Sequence, residues 1–305
     1  MQKAGSHSRL GYYKRYSAFY LMLLPVAVYY LVFCYGPMFG VVVAFKNFMP
    51  RQGIWGSAWV GFKHFRVLFG SNDFRMVMGN TILLSLYKLL WGFPAPIILA
   101  LLLNEMRSKR FKRVAQTISY MPHFLSWVIV AGLVTTIFDL EGPVNQLRRL
   151  LGQDPVMIMT QKAAFRSILV GANIWKEVGW GTLIYLAAIA GIDPTLYESA
   201  VLDGAGRFKQ MRYITLPSIM PTVIILLILR TGSILNAGFE DVLLLQNAVV
   251  REVSEVLDTY VYKMGIENGN YSYATAVGLF KSVVGLIMVL GTNELSRRAG
   301  EHSLL

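Results

Sequence analysis

The chain has 305 residues, of which 55% are hydrophobic and only 15% are charged, and its mean hydropathy is +0.49. A disordered chain would be far more polar, and an ordinary soluble domain carries roughly 25% charged residues. The composition therefore excludes disorder and favours a membrane protein over a soluble enzyme. The single cysteine, Cys34, excludes an intrachain disulfide framework.

The net charge is +12, from 29 lysines and arginines against 17 acidic residues. In a soluble protein this excess would indicate nucleic-acid binding. Here the basic residues are divided among the loops between apolar stretches, as in the cytoplasmic loops of membrane proteins. We therefore expect membrane lipid around the chain and no nucleic acid as a partner.

Six apolar stretches are each long enough to cross a bilayer, which takes about 20 residues. They run roughly over 17–44, 79–103, 116–139, 167–190, 219–245 and 273–295. The outer helices of a soluble protein would need polar faces, and the second stretch has almost none. The pattern predicts an all-α membrane protein with six transmembrane helices.

The distribution of lysine and arginine predicts the orientation, because short cytoplasmic loops are enriched in both. With the N-terminus inside, the inside segments hold 14 basic residues in 66 positions and the outside segments hold 11 in 88. We therefore expect a cytoplasmic N-terminus over 1–16, a transmembrane domain over 17–298 and a cytoplasmic tail over 299–305.

Polar and aromatic residues in the fourth and fifth spans are candidates for a solute path, because ionisable groups inside a membrane usually face a bundle interior or water. Aromatic rings stack on the C–H faces of a sugar, and amides or carboxylates bind its hydroxyl groups. The candidates are Asn173, Trp175, Glu177, Trp180, Tyr185, Ser233, Asn236, Phe239 and Glu240. A structural role stays open, since such residues also form interfacial belts and join helices.

No pair of these residues has the spacing of an acid–base or nucleophile arrangement, so no catalytic site and no metal site is expected. The neighbours Lys176 and Glu177 cannot face each other across a helix, so each needs another partner or water. Glu252, Glu255 and Asp258 lie three residues apart. They predict one acidic helix face, either simply solvated or a surface for an external partner.

The loop between the fourth and fifth spans has an ordered sequence. Asp193 followed by Pro194 predicts a helix start, with a capping carboxylate and a proline at the first helical position. Gly204 is expected to end or bend this helix, and a second short helix is expected to stop at Pro217. The predicted helix–bend–helix, with its apolar residues toward the membrane domain, suits docking into a groove of a soluble partner.

This loop resembles the EAA loop of binding-protein-dependent ABC importer permeases. The matching residues are Glu198, Ser199, Ala200, Asp203, Gly204, Ile214, Leu216 and Pro217. The run 197–205 is similar to the sugar-uptake group, and most similar to permeases for complex oligosaccharides and polysaccharide fragments. Weaker matches at 80–81, 174–176, 257–260 and 271–278 extend the resemblance over about 17–298.

The resemblance implies a type I ABC importer permease fold, in which residues 193–217 form a coupling helix seated in a cytoplasmic ATPase subunit. Glu198 would pair with a basic group of that subunit, and Gly204 would allow the bend. Ser199 stands where the family has alanine and is small enough for the same close approach. The shape of the loop would be held by Ala200, Ile214, Leu216 and Pro217.

The resemblance also implies a bacterial cell membrane and import of sugar by alternating access. The partners would be a second homologous permease, two ATPase subunits, an extracytoplasmic solute-binding protein and the sugar. A permease heterodimer is expected, with a homodimer as the alternative. The sequence has no glycine-rich phosphate loop ending in Gly-Lys-Ser or Gly-Lys-Thr. ATP and Mg²⁺ would therefore be bound by the ATPase subunits, and no cofactor is expected in this chain.

Three other functions stay open from the residues alone. An ion-coupled secondary transporter of a small polar solute would need a relay of intramembrane carboxylates, for which Glu177 is the candidate. A membrane enzyme would need paired acidic residues at the membrane surface. A structural or assembly protein would make the loop motif a coincidence.

Overall fold

The computed structural model of the protein describes residues 16–298. The predicted cytoplasmic termini, 1–16 and 299–305, therefore lie outside the described residues, except for Tyr16. The described part of the chain is almost entirely helical, with one small hairpin.

The first described element is a long apolar helix that leads into the hairpin. Helix α1, Ser17–Phe45, is 29 residues long, and none of its side chains over 17–42 is buried by the part of the chain that the structure describes. Strands β1, Lys46–Asn47, and β2, Ala58–Trp59, pair antiparallel, and the short helix α2, Gly53–Gly56, lies between them. The predicted first span is confirmed, and its apolar surface suits lipid.

The second predicted span is one helix with a local widening. Helix α3, Lys63–Gly70, is followed by α4, Asn72–Glu105. Ser71 caps α4, because its side-chain oxygen accepts a hydrogen bond from the third helical N–H. The π turn Lys88–Gly92 ends just before Pro94. A widened turn accommodates the ring and the missing N–H of a proline inside a continuous helix.

The third predicted span, 116–139, is not one straight helix. It is divided between α5, Lys109–Phe124, and α6, Trp127–Ile137, which meet at a bend of 104°. Pro122 lies in the last turn of α5, and the side chain of Ser126 caps a new helix. Two local breakers interrupt the apolar pattern, so this stretch is a broken span or a re-entrant loop rather than one continuous helix.

The fourth predicted span is the centre of the bundle. After helix α7, Pro143–Leu150, and a 3₁₀ turn at Ile158–Thr160, helix α8 covers Lys162–Ala190. It is 29 residues long, or about 43 Å at 1.5 Å per residue. It packs against α4 and α5, and Phe165 and Leu169 on it are fully or almost fully buried.

The fifth predicted span, 219–245, begins and ends elsewhere. Helix α9, Pro194–Leu202, is followed by α10, Arg207–Gly232. Pro217 does not stop a separate short helix, because a π turn at Met211–Thr215 carries the helix into it. The second short helix and the fifth span are therefore one continuous helix.

This helix breaks inside the apolar stretch. Residues 233–239 are not helical, and α11, Glu240–Leu245, begins after them. Helices α12, Arg251–Ser254, and α13, Leu257–Tyr262, follow, and a π turn at Lys263–Glu267 prolongs α13. Helix α14, Tyr271–Arg298, confirms the sixth predicted span.

The described residues contain four helices that are long and apolar enough to cross a membrane, α1, α4, α10 and α14, or five if the bent pair α5–α6 counts as one. The sequence predicts six transmembrane helices, and four or five helices of the described residues meet these criteria of length and apolarity. Helix α8 is long enough, but it carries Lys176 and Glu177 in its middle. Neighbouring helices bury the Lys176 side chain, whereas the Glu177 side chain is 41% exposed.

Three buried apolar clusters hold the bundle together. The first joins α6, α8 and α11 through residues such as Val130, Phe165 and Val242. The second joins α3, α4, α13 and α14 around Leu68 and Leu257. The third joins α4, α8 and α10. Helices α8 and α10, which precede and follow the loop at 191–206, are therefore each packed against other helices of the bundle.

Candidate functional site: an exposed elbow and a polar cleft

The elbow, residues 193–217, begins with a capped helix. The Asp193 carboxylate accepts a hydrogen bond of 2.9 Å from the backbone N–H of Thr195, and Pro194 occupies the first helical position. This hydrogen bond holds the pKa of Asp193 below its usual value, because it stabilises the charged form. The predicted helix start is confirmed.

The elbow turns at Gly204, whose φ of +74° lies in the left-handed region that favours glycine. The N–H of Ala205 donates to the carbonyl oxygen of Ala200 at 2.8 Å and closes the end of α9. The hydroxyl oxygens of Tyr197 and Thr215 lie 2.9 Å apart and join the two limbs. The predicted bend is confirmed.

The sequence had suggested that the apolar residues of the elbow pack toward the membrane domain, but several of the large ones are exposed instead. Leu202 is 88% exposed and Phe208 is 73% exposed, and Val201 and Tyr213 are exposed beside them. Large apolar side chains gathered on one surface are typical of an interaction site. The expectation was wrong because the limbs are held together by Tyr197, Thr215 and backbone hydrogen bonds rather than by these side chains.

The eight motif residues are all placed on the elbow. Five of them are exposed: Glu198, Ser199, Asp203, Gly204 and Pro217. Ala200, Ile214 and Leu216 are half-buried, where they can hold the shape of the loop. The hydroxyl of Ser199 donates to the carbonyl oxygen of Thr195 at 2.9 Å, within its own helix.

The second feature is a cleft between α4, α8 and α10, with a volume of about 460 Å³. Four of the nine candidates for the solute path line it, namely Asn173, Glu177, Trp180 and Tyr185. Asn173, Glu177 and Trp180 lie on one face of α8, because residues three, four and seven positions apart share a face of a helix, and Tyr185 lines the cleft further along the helix. The cleft is closed on its other sides by Phe93, Pro96, Leu226, Arg230 and neighbouring residues.

Charged groups beside the cleft form a small network. The Lys176 ammonium is buried and donates to the backbone oxygen of His123 at 2.7 Å. Nδ1 of His123 lies 2.9 Å from the Glu177 carboxylate. Lys176 and Glu177, which are adjacent in the sequence, thus both have His123 as a partner, in agreement with the expectation that each needs a partner other than its neighbour. Their charged groups also lie 3.6 Å apart, which the sequence had not suggested.

An aromatic surface borders this network. The rings of His123 and Trp180 are stacked, with centroids 4.5 Å apart and planes 3° from parallel. Phe124 also packs against Trp180, with ring centroids 5.8 Å apart and planes at 82°. Trp180 is nevertheless 44% exposed, so part of its ring surface is accessible to the C–H groups of a sugar ring.

The other five candidates do not line the cleft, although Ser233 and Asn236 border a small pocket that shares Arg230 with it. Trp175 lines a separate apolar pocket of about 550 Å³ with residues of α6. Asn236 lines another of about 510 Å³ with residues of α13 and α14. Phe239 packs against Tyr262 with ring centroids 5.3 Å apart. Ser233 lies in the break after α10, and Glu240 is the exposed first residue of α11.

The break after α10 is held by a buried ion pair. The Lys88 ammonium, in the π turn of α4, contacts the Asp241 carboxylate and donates to the backbone oxygen of Ala237 at 2.6 Å. Both side chains are less than 5% exposed. Gly238 has a φ of +114°, and a Cβ there would lie 2.1 Å from the Asp241 carboxylate. Only glycine fits this position.

The predicted acidic face is not present. Glu255 is fully buried and forms ion pairs with Arg251 at 2.7 Å and Lys263 at 2.8 Å. Glu252 and Asp258 are also paired, with lysines of α8 and α14. The spacing was a poor guide because α12 ends between these residues, so they do not share one helix.

Sequence reasoning missed His123, and it recognised Arg230 as an ionisable residue within a span without assigning it to the solute path. His123 follows Pro122 at the end of α5, and that proline–histidine pair inside an apolar stretch was an available signal. Arg230 lies in the last turn of α10, and an arginine within an apolar span was a second signal. Neither could be placed beside α8 without the packing of distant helices.

A helical bundle with several spans, an exposed docking elbow and a polar cleft defines a membrane transport subunit rather than an enzyme. The family model described as binding-protein-dependent transport system inner membrane component matches residues 92–300. The chain belongs to this family. It is a multi-span inner-membrane permease of the ABC importer type, which confirms the predicted function and does not support the ion-coupled alternative.

Individual relatives agree over almost the whole chain. Protein LplB of Bacillus subtilis strain 168 is 48% identical over 95% of this chain and 92% of its own length. The polygalacturonan/rhamnogalacturonan transport system permease protein YteP of the same strain is 48% identical over 93% of this chain and 89% of its own. A subunit in the crystal structure of a bacterial alginate ABC transporter, in complex with an alginate pentasaccharide-bound periplasmic protein, is 44% identical. It has a TM-score of 0.88 and covers 96% of this chain and 98% of its own.

Proposed function

We propose that this permease imports oligosaccharides or polysaccharide fragments by alternating access, driven by separate ATPase subunits that bind the elbow. The observation that carries this proposal is the connection between elbow and cleft. Helix α8 runs from Asn173 in the cleft to Ala190 at the elbow, and α10 runs from Arg207 in the elbow to Arg230 in the cleft. Because α8 and α10 each form part of the cleft wall, a movement of the elbow would shift two walls of the cleft.

The elbow supplies a surface that suits an ATPase subunit. Its exposed Leu202 and Phe208 would enter an apolar groove, and the exposed Glu198 carboxylate would pair with a basic group at the rim. The sequence has no phosphate-binding loop of its own. ATP and Mg²⁺ would be bound by two such subunits, and closure of these subunits on ATP would move the elbow.

The complete importer would contain a second homologous permease and an extracytoplasmic binding protein. The proposal of a saccharide rests on two relatives, since YteP is named for polygalacturonan and rhamnogalacturonan and the alginate transporter was solved with a pentasaccharide-bound periplasmic protein. We infer a heterodimer, in which the second permease provides the other half of the cavity. The stacked Trp180 and the amide of Asn173 suit sugar rings and hydroxyl groups.

The proposed orientation places the elbow and both chain termini in the cytoplasm. It is supported by the excess of lysine and arginine in the segments on that side. In this orientation the hairpin β1–β2 and the helices α7 and α12 face the outside, where a binding protein would dock.

Reconstitution in proteoliposomes tests the proposal. The two permeases, the ATPase subunits and a saccharide-loaded binding protein should together take up labelled oligosaccharide, and the loaded binding protein should stimulate ATP hydrolysis. Glu198→Ala should reduce both activities while the complex still inserts. Uptake that persists without ATP when an ion gradient is present would instead favour an ion-coupled transporter.

A further inference from the structure

Arg230 differs from the other charged residues around the cleft. It lies in the last turn of α10, its side chain is exposed, and it lines the cleft opposite Asn173 and Glu177 of α8. It also borders the small pocket beside the break, together with Lys88 and Ser233. Its position within an apolar span makes an unpaired charge expensive, so a functional reason is expected.

The charged neighbours of Arg230 already have partners. Glu177 is bound by His123 at 2.9 Å and lies 3.6 Å from Lys176. Lys88 is neutralised by Asp241. Within residues 16–298, by contrast, the Arg230 guanidinium has neither an ion-pair partner nor a hydrogen-bond acceptor. The cleft therefore keeps one positive charge that the described residues do not compensate.

A guanidinium group recognises a particular kind of ligand. Its planar arrangement of N–H donors binds a carboxylate through two parallel, charge-assisted hydrogen bonds. A neutral sugar would leave the charge without a counter-ion after water is displaced, and that costs free energy. A carboxylated sugar would compensate the charge.

The rest of the cleft fits the same ligand. The exposed part of the Trp180 ring, held in place by His123 and Phe124, suits the ring of a sugar unit. The amide of Asn173 suits its hydroxyl groups. A sugar unit that bears a carboxylate would place its ring on the tryptophan and its charge toward α10.

We propose that the cleft selects acidic saccharides and that Arg230 is the residue that binds their carboxylate groups. This inference rests on the proposed function, because it assumes that the cleft is part of the saccharide path. It goes further in naming the chemical class of the substrate and the residue that sets the preference.

The experiment compares two probes in proteoliposomes that contain the complete importer. The first probe is trigalacturonate, and the second is the same trisaccharide with its carboxyl groups reduced to alcohols. Each is supplied with binding protein saturated by it, so selection by that protein is equal for all variants. The measured quantity is the ratio of the uptake efficiencies of the acidic and the reduced probe.

Arg230→Gln should lower this ratio about tenfold or more, the loss typical of charge-assisted hydrogen bonds. Arg230→Lys should lower it less, because it keeps the charge but loses the planar pair of donors. The matched control is Arg113→Gln, an exposed arginine of α5 that does not line the cleft. This control should leave the ratio unchanged.

Other results would overturn the inference. If both Arg230 variants reduce uptake of the two probes equally, Arg230 has a structural role or pairs with the second permease. If a phosphorylated disaccharide is taken up in an Arg230-dependent way and trigalacturonate is not, the ligand group is a phosphate instead. Failure of the proposed function has a different signature, in which no saccharide stimulates ATP hydrolysis by the wild-type importer.

Discussion

Lys88 carries its charge into the interior of the bundle, where Asp241 and the backbone oxygen of Ala237 are its partners. The pair connects α4 to the broken segment between α10 and α11, and it leaves room only for glycine at position 238. Removing one member of a buried pair leaves an uncompensated charge, whereas replacing both with apolar groups can be nearly neutral.

We therefore predict that Lys88→Met lowers the free energy of unfolding by about 3–5 kcal/mol, and that Lys88→Met combined with Asp241→Leu restores most of the loss. Thermal unfolding of the purified protein in lipid nanodiscs provides the measurement. The exposed pair Arg149–Glu141, 2.6 Å apart, is the matched control, and Arg149→Met should change little. Equal losses in the single and double variants would contradict a role for the pairing.

Asp193 provides a prediction on pH, because its pKa is lowered by the hydrogen bond from the Thr195 N–H. A lowered pKa means that the charged carboxylate stabilises the folded elbow. This stabilisation is complete above the pKa of the unfolded side chain, about 3.9. It is lost as the pH falls through the lower, folded value.

Hydrogen-exchange protection of residues 194–202, corrected for intrinsic rates, should therefore be constant from pH 7 to pH 5 and should fall below about pH 4. Asp193→Asn still caps the helix but cannot titrate, so its protection should depend less on pH. If the two proteins follow the same profile, Asp193 is not the titrating cap.

Gly204 and Gly206 differ in what they require of the backbone. Gly204 has a φ of +74°, which proline cannot adopt. Gly206 has a φ of −69°, close to the value that proline prefers, and a Cβ there would meet no other atom within 4 Å. Both glycines are exposed and lie two residues apart in the same turn.

We predict that Gly204→Pro lowers saccharide-stimulated ATP hydrolysis by about tenfold or more, because proline cannot adopt the backbone conformation that turns the elbow. Gly206→Pro should retain most of the activity. Insertion of both variants is checked by their yield in the membrane fraction. Comparable activity in the two variants would show that the left-handed turn is not needed for coupling.

At the scale of the element, the elbow offers an exposed apolar surface that no residue in 16–298 covers. Burial of one leucine or phenylalanine side chain contributes about 1.5–3 kcal/mol. Leu202→Ser and Phe208→Ser should each weaken binding of the ATPase subunits about tenfold or more. The affinity is measured with the permease pair in nanodiscs. Leu150→Ser is the matched control, since Leu150 is 84% exposed on α7, and an equal loss there would contradict a specific surface.

The elbow and the break after α10 show why one element could be predicted and the other could not. The signals of the elbow are local, with a cap and a proline at 193–194 and a glycine at 204. The stretch 219–245 does contain Gly232, Gly238 and the acidic pair 240–241 near the break, but glycines and polar residues also occur in continuous spans, so they did not indicate a break. The break depends on Lys88, 149 positions before the carbonyl group that it binds. A contact between residues so far apart in the sequence cannot be predicted from the residues around the break.

The cleft shows the same division. Asn173, Glu177 and Trp180 recur at helical spacing, so their common face follows from the sequence. Trp175 and Asn236 have equally suitable side chains, but the packing of α6 and α14 places them in other pockets. Residue type alone could not separate these two groups.

At the scale of the whole molecule, the cleft and the elbow belong to one mechanism only if they act from opposite sides of the membrane. The elbow must face the ATPase subunits in the cytoplasm. The loop that contains α7 must face the binding protein outside. Both surfaces carry an exposed leucine that can be exchanged for cysteine, and the chain has only one native cysteine, Cys34.

In a Cys34→Ser background, Leu202→Cys and Leu150→Cys place one thiol on each surface. Their exposures of 88% and 84% make their intrinsic accessibility comparable. A membrane-impermeant maleimide added to intact cells should label position 150 and not position 202. After permeabilisation both should be labelled, because the charged reagent then reaches both sides. Labelling of position 202 in intact cells would place the elbow outside the cell. The cytoplasmic ATPase subunits could then not bind it, and the proposed coupling would be wrong.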